Sequence, residues 1–375
     1  MSIIVIDDTM NIDFDKAGLE KSLPDLTIAV KDGNLLYTKP EQLLNRRRCR
    51  CFERRGSRYH EEAINFVKVK VRKAIPPTSW QFAKILKQAQ DLNVTFGKTY
   101  TGNETEPYLK IMDKYMSFAE LAYHFLHQGG GFSCGEPCDA PLFKSVTLNT
   151  TWHNPNPVSD GYIALSHTDK EIYVVWAGTR RIRSIIVDSM FVFEDFSPDV
   201  PGATVHAGFA ESTNAVYPNI LKNILAASSS FPDYNIVFVG HSLGGASAVL
   251  SALRFAKENE LVKDMVRVWT FGEPRVGNRA FAEYYTEILG NQTYRITYKG
   301  DIVPHVPPWQ VLGYQHHPLE IHIINKEGDF YVCQNTVRED LDGAYRWPTI
   351  DTGVSDHIDY FEKPDITRFD PLVEW

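Results

Sequence analysis

Gly240-His241-Ser242-Leu243-Gly244-Gly245 is the segment of this chain whose residue types and spacing are best suited to chemistry. A serine hydroxyl becomes a nucleophile when a sharp turn presents it and an oriented base takes its proton. Glycines two residues to either side allow such a turn, because side chains there would strike the chain as it folds back. Ile236–Val239 ahead of the turn reads as a short buried strand. Ser242–Lys257 behind it, rich in Ala and Leu and free of proline, reads as a helix. The amino terminus of that helix offers unpaired N–H groups and positive dipole, which suit an oxyanion. A bare G-x-S-x-G arises by chance roughly 0.08 times in a chain of this composition, and requiring Gly245 lowers that to about 0.005. The alternative is a glycine-rich turn without chemistry; the strand-then-helix context favours a nucleophile.

In strand–turn–helix hydrolases the partners follow in the order Ser, acid, His. After Ser242 the histidines are His305, His316, His317, His322 and His357. His322 sits inside a strand pattern and His316-His317 precede Pro318 in a turn, so these read as structural. His357, in Ser355-Asp356-His357-Ile358-Asp359-Tyr360-Phe361, follows Gly353 on a turn beyond the last strand, where a loop can swing back over the serine. Asp301 directly follows Tyr294–Gly300, at the carboxyl end of a core strand, where open α/β sheets place their active sites. Asp356 and Asp359 are too close in sequence to His357 to orient it easily. The residues therefore predict Ser242 as nucleophile, His357 as base and Asp301 as acid, while His206 and His241 read as packing residues.

The elements that must position these groups are legible from Pro107 onward. Tyr108, Ile111, Met112, Tyr115, Phe118, Ala119 and Ala122 fall at steps of three and four, a helical stripe that Gly129-Gly130-Gly131 stops. Gly161–Leu165 and Glu171–Trp176 flank Thr168-Asp169-Lys170 as a hairpin would. Strands at Ile236–Val239, Val266–Phe271 and Tyr294–Tyr298 then alternate with helices at Ser242–Lys257 and Gly277–Leu289. Ile321–Ile324 and Asp329–Val332 close the series as a hairpin. Such alternation predicts an α/β fold with a mostly parallel central sheet, helices on both faces and antiparallel strands at the edges.

Composition narrows the function classes. The chain has 375 residues, 43% apolar and 23% charged, with a net charge of −8. That balance argues against nucleic acid as the main partner, since phosphate binding needs a surplus of Lys and Arg. The exception is local: Arg46–Lys73 carries 11 Lys and Arg against 3 Glu, a net +8 that leaves −16 for the other residues. This basic run ends near Pro76-Pro77, and residues 1–100 read as an extension of unknown role ahead of a hydrolase domain at 101–375. The basic run reads as a solvated linker, with an anionic surface as the alternative contact. Tyr234–Leu253 is free of Asp, Glu, Lys and Arg, but it holds His241, three glycines and three serines, so no transmembrane segment is expected. The amino terminus has no basic leader and carries Asp7 and Asp8, so no signal peptide is read and an intracellular location is expected, with secretion as the alternative.

Five segments in order resemble the class 3 fungal lipases, on the α/β-hydrolase fold. They are VHAGF at Val205–Phe209, GHSLGG at Gly240–Gly245, FGEPRVGN at Phe271–Asn278, YKGDIVPHVPP at Tyr298–Pro308 and DHIDYF at Asp356–Phe361. The resemblance spans Pro107–Phe361, and the helix followed by FSCGEPC looks like the yeast secreted lipases within that family. It implies the same Ser242, Asp301 and His357, with an oxyanion hole from the backbone N–H groups of Thr179 and Leu243. The chain departs from the family at Ala177, where an Arg usually precedes the glycine. Arg180–Met190 matches the family's lid, with Ile182, Ile185, Ile186 and Met190 on one helical face. Cys134 and Cys138 could form a small disulfide, as the secreted relatives suggest, or stay as thiols. Asn93, Asn103, Asn149 and Asn291 each begin an Asn-x-Thr triplet, relevant if the chain enters the secretory pathway.

The activity expected is that of a serine carboxylic ester hydrolase, a triacylglycerol lipase, meeting lipid or ester substrate at an oil–water or membrane interface. It needs no cofactor and no metal. The alternatives are a phospholipase or small-ester esterase, and a non-catalytic hydrolase fold kept for binding.

Overall fold

The computed structural model describes residues 27–31, 34–38, 92, 94–128, 136–155, 158–179, 191–333, 339–348 and 351–362. The basic segment 46–73 lies outside them. In chain order the strands are β1 (Thr27–Lys31), β2 (Asn34–Thr38), β3 (Thr99–Tyr100), β4 (Val146–Pro155), β5 (Val158–Ser166), β6 (Glu171–Trp176), β7 (Phe193–Asp195) and β8 (Thr204–His206). They continue with β9 (Asn235–His241), β10 (Val266–Phe271), β11 (Gly277–Asn278), β12 (Thr293–Tyr298), β13 (Tyr314–Gln315), β14 (Glu320–Ile323) and β15 (Phe330–Val332). β1 and β2 pair antiparallel with each other, from Thr27 opposite Thr38 to Lys31 opposite Asn34.

Nine strands form one sheet in the order β3-β15-β14-β12-β10-β9-β6-β5-β4. The five central strands, β6, β9, β10, β12 and β14, run parallel. β5 and β4 extend one side and β15 and β3 the other, all antiparallel. β7, β8, β11 and β13 make a small second sheet.

The central strands are buried on both faces, so β6 and β9 read as nearly continuous apolar runs, whereas β12 and β14 also bury polar side chains, Arg295, Thr297, Glu320 and His322. Their pleat divides them between two cores. Tyr173, Val175, Val237, Val239, Trp269 and Phe271 face helix α1 (Glu106–Gln128), whose Met112, Met116, Ala119 and Tyr123 are buried there. Ile172, Val174, Trp176, Ile236, Phe238 and Val268 face α2 (Ala207–Ser230), α3 (Leu243–Glu258) and α4 (Arg279–Leu289). Leu92, Val94 and Tyr100 join the first core, so packing in this unit reaches back ahead of α1.

Among the longer elements packed on the nine-stranded sheet, three differ from the sequence reading. α2 was not read: Pro218 lies inside it and removes one backbone donor, yet nine of its side chains are buried against the sheet. β4 escapes the sequence reading too: burial alternates along Val146–Pro155, but polar Thr150 and Asn154 stand at inward positions and hide the apolar alternation. The helix expected from Gly277 begins at Arg279, since Gly277 and Asn278 pair with β8 and β13 before Asn278 caps it through Phe281 N.

Candidate active site

β9 ends at His241 and α3 begins at Leu243, leaving Ser242 alone to reverse the chain. Ser242 has φ 58° and ψ −132°, a left-handed conformation that costs a non-glycine residue about 1–3 kcal/mol and must be held by its surroundings. Two backbone hydrogen bonds hold it: Ser242 N–H donates to Phe271 O and Gly245 N–H donates to Ser242 O, each at 2.9 Å. A side chain on Gly240 would strike the backbone of Gly244, and one on Gly244 would strike the carbonyls of Trp176 and Ala177. Helix α3 starts this close to β6 and β9 because both positions lack a Cβ.

Asp301 stands just past β12, fully buried, and its carboxylate accepts from three sides. Val303 N–H donates to Oδ1 at 2.8 Å, the Tyr360 hydroxyl to Oδ2 at 2.8 Å, and His357 Nδ1 lies 2.9 Å from both oxygens. Burial, with Asp301 alongside, pushes the Tyr360 hydroxyl well above its ordinary pKa, so it stays protonated and donates. The carboxylate has no proton to give, so His357 carries hydrogen on Nδ1 and turns its Nε2 lone pair away from Asp301. His357 lies in a short helix, α5 (Val354–Ile358), rather than an open turn. Asp356 does not orient His357. Its Oδ2 accepts from Gly300 N–H at 3.0 Å and its Oδ1 from Lys299 Nζ at 2.9 Å, fastening α5 to the loop that carries Asp301.

The residues on either side of the elbow draw Ser242 and this pair together. Phe271, which receives the Ser242 N–H, is followed by Gly272 at φ 56°. A Cβ on Gly272 would stand 2.6 Å from Asp301 Oδ2 and 2.8 Å from His357 Nδ1. His241 stacks on His357 with ring centroids 4.5 Å apart, and its Nε2 lies 2.9 Å from the His357 carbonyl oxygen. Ser242 and His357 are both fully buried, and among the described residues neither Ser242 Oγ nor His357 Nε2 has a hydrogen-bond partner. Such bonds are often long before substrate binds.

Leu243 is the first residue of α3, so its N–H belongs to the set a helix leaves without intrahelical acceptors. Thr179 is partly buried on the segment after β6. That segment lies directly on the elbow: a Cβ on Gly178 would run into the Tyr123 hydroxyl and stand 2.7 Å from the His241 carbonyl. Ala177, in the position where an Arg was expected, is 8% exposed within the first core, and its N–H donates to Asp160 O at 2.9 Å. The small side chain is thus accommodated by packing. Ile182, Ile185, Ile186 and Met190 lie outside the described residues.

Two site residues escaped the sequence reading. Tyr123, buried on α1, has its hydroxyl 2.7 Å from His241 Nδ1. His241 Nε2 faces a carbonyl and must donate, so in the neutral ring Nδ1 accepts from Tyr123. Burial, with His357 beside it as the second cause, holds His241 well below the ordinary histidine pKa, which keeps that ring neutral. The other is Tyr360, visible in DHIDYF but not assigned a task. The signal for both was a tyrosine whose hydroxyl needs a partner once its ring is buried.

Among the described residues no group of three or more His, Cys, Asp or Glu could hold a metal ion, and no helix is long and apolar enough to cross a membrane. Cys138 is in a disulfide, and Cys333 is a buried free thiol.

The chain is similar to known lipases. The class 3 lipase family matches residues 173–311. A lipase of Rhizopus oryzae is 36% identical over 262 residues, which are 69% of this chain and 64% of that protein. The chain thus spans 64% of the length of this curated relative. A secreted mono- and diacylglycerol lipase of Gibberella zeae is 30% identical over 277 residues, 60% of this chain and 66% of that one. The solved structure of lipase II from Rhizopus niveus superposes with a TM-score of 0.64 at 32% identity, covering 70% of this chain and 96% of the other. The chain belongs to the class 3 lipase family, on the α/β-hydrolase fold.

Proposed function

We propose that this protein is a serine carboxylic ester hydrolase that cleaves acylglycerols at a lipid–water interface through an acyl-enzyme. The observation that carries the reading is the Asp301–His357 pair packed against Gly272, one residue from the carbonyl that anchors the Ser242 turn. In this reading Ser242 Oγ attacks the ester carbonyl and His357 Nε2 takes its proton. The Asp301 carboxylate holds Nδ1–H and steadies the imidazolium that forms. The tetrahedral oxygen receives hydrogen bonds from Leu243 N–H and Thr179 N–H. His357 returns its proton to the leaving alcohol, and water, activated by the same ring, releases the acid.

Burial of Ser242 and His357 supports a site that opens before substrate enters. The apolar spacing of Ile182, Ile185, Ile186 and Met190 makes Arg180–Met190 the proposed cover, on sequence grounds. Acylglycerol as substrate is supported by the named activity of the Gibberella zeae relative. That relative is secreted, and Cys138 is in a disulfide, so we propose export through an oxidising compartment in place of the intracellular location expected from the amino terminus.

A fluorophosphonate probe tests the nucleophile: it should label folded protein at Ser242 and leave Ser242→Ala unlabelled. Folded protein that resists the probe would favour the binding-protein alternative. Hydrolysis of emulsified long-chain against dissolved short-chain esters tests the substrate class. Rate that rises once substrate forms an interface supports the lipase reading, and a rate that saturates below solubility replaces it with an esterase.

A further inference from the structure

Four Asn-x-Thr triplets were left without a task, and the structure separates three of them; Asn93 lies outside the described residues. At Asn291 the triplet is turned inward. Its Oδ1 is buried, and Thr293 is fully buried with its hydroxyl 2.9 Å from both Leu289 O and the Tyr285 hydroxyl. Asn103 is exposed on the turn Gly102–Glu104. Asn149 is exposed in the middle of β4, at a bulge: Leu148 pairs with Ala164 and Thr150 with Ile163, so Asn149 has no partner across the ladder.

The surroundings of Asn149 carry the argument further. Among the described residues β4 is the last strand of the nine-stranded sheet, so alternate backbone groups along its ten residues face outward. Edge strands of that length are open to pairing with another chain unless Lys, Pro, a bulge or a covering group blocks them. β4 reads Val-Thr-Leu-Asn-Thr-Thr-Trp-His-Asn-Pro, with no Lys, Arg, Asp or Glu, and its proline comes only at the end. The bulge at Asn149 interrupts the row but adds no charge and little bulk.

We propose that Asn149 is an N-glycosylation site whose glycan shields the β4 edge, that Asn103 is a second site, and that Asn291 is not modified. This rests on the export reading above. The oligosaccharide comes from a lipid-linked pyrophosphate donor. The bond between its anomeric carbon and pyrophosphate oxygen breaks, a bond from that carbon to Asn149 Nδ2 forms, and the proton lost from Nδ2 leaves with the lipid pyrophosphate. A hydrophilic branch at the bulge excludes a second strand from both halves of β4, which charged side chains achieve elsewhere.

The test is full-length protein secreted from yeast behind a cleavable leader, treated with peptide N-glycosidase in heavy-oxygen water and read by peptide mass spectrometry. Asn149 and Asn103 should convert to isotope-labelled Asp, and Asn291 should remain Asn. An unconverted Asn149 in secreted, active protein overturns the proposal, as does conversion at Asn291. Asn149→Gln and Thr151→Ala should each lose one glycan, keep their specific activity and show a larger aggregated fraction by light scattering. Aggregation unchanged in both variants removes the shielding role. A parallel arm locates the protein in cells that make it: protein confined to the cytosol sinks the export reading and leaves the site assignment, read behind the leader, standing.

Discussion

The His241 ring lies flat against His357 and hydrogen-bonds the carbonyl of that same residue, so one side chain grips both the imidazole and the backbone of the proposed base. Tyr123 completes the grip, with its hydroxyl on His241 Nδ1 and against Gly178. The neutrality of His241 bears on the catalytic role proposed for His357. When His357 becomes an imidazolium, the ring stacked on it adds no competing positive charge, because burial holds His241 far below its ordinary pKa.

His241→Phe keeps an aromatic ring in the stack but removes the donor to the His357 carbonyl and the ring nitrogen that accepts from Tyr123. A lost buried hydrogen bond costs about 1–3 kcal/mol. We expect kcat to fall by about tenfold with KM nearly unchanged, and fluorophosphonate labelling to slow in parallel. An unaltered kcat in folded protein would show that the grip has no part in positioning His357.

Ser242→Ala should lower ester turnover by roughly 10⁶, as removal of the nucleophile does in other triads. Asp301→Asn should lower it by roughly 10⁴, because an amide facing His357 Nδ1 stabilises the wrong tautomer. The two variants together should be no worse than Ser242→Ala alone, since the groups act as a unit. Steady-state rates on a soluble ester read all three. Additive losses in the double variant would sink the triad assignment.

Gly244→Ala tests the elbow by sterics alone. The new methyl would collide with the Trp176 and Ala177 carbonyls, so α3 must retreat from β6 or the protein must fail to fold. We expect a large loss of thermal stability together with loss of probe labelling. Gly313→Ala provides the contrast: Gly313 has φ 74° but open space around it, so a Cβ there costs only backbone strain, about 1 kcal/mol. Comparable melting temperatures for the two variants would refute the collision argument.

Much of this site could be read from local pattern. Ser242 announces itself by glycines whose absence of Cβ is a steric requirement, and Asp301 by its place at the carboxyl end of a core strand. The alternation of β9, β10 and β12 with α3 and α4 is likewise written in the spacing of apolar residues. What escaped depends on long-range packing. Tyr123 and His241 are 118 positions apart, and nothing near Tyr123 marks its hydroxyl as a partner for the elbow. Asp356 looked like a failed orienter of its neighbour, whereas its partners Lys299 and Gly300 lie on the Asp301 loop. α2 was hidden because Pro218 weakens local helix preference, which burial of Val216, Tyr217, Ile220 and Ile224 overrides.

Buried neutral histidines set the expected acid limit of the fold. Burial lowers His206 and His322 to about 4 and holds His241 and His316 well below 6.5. The unfolded chain binds these protons near pH 6.5 while the folded chain resists them. Stability from each is therefore full above pH 6.5 and is lost as pH falls from 6.5 towards its folded value, at about 1.4 kcal/mol per unit. Glu320 works in another window. Although burial alone would raise it, Arg295 leads the opposing interactions that hold it at about 2, so its contribution is lost only below its ordinary value of 4.5. Between pH 6.5 and 4.5 the histidines should dominate, and urea midpoints should fall steeply there. His206→Asn removes one titrating ring yet can still accept the Phe209 N–H that His206 caps. That variant should lose some stability at pH 7.5 but show a slope shallower by up to about 1.4 kcal/mol per pH unit. A slope identical to that of the parent would mean that His206 binds its proton as readily folded as unfolded, against its burial at the start of α2.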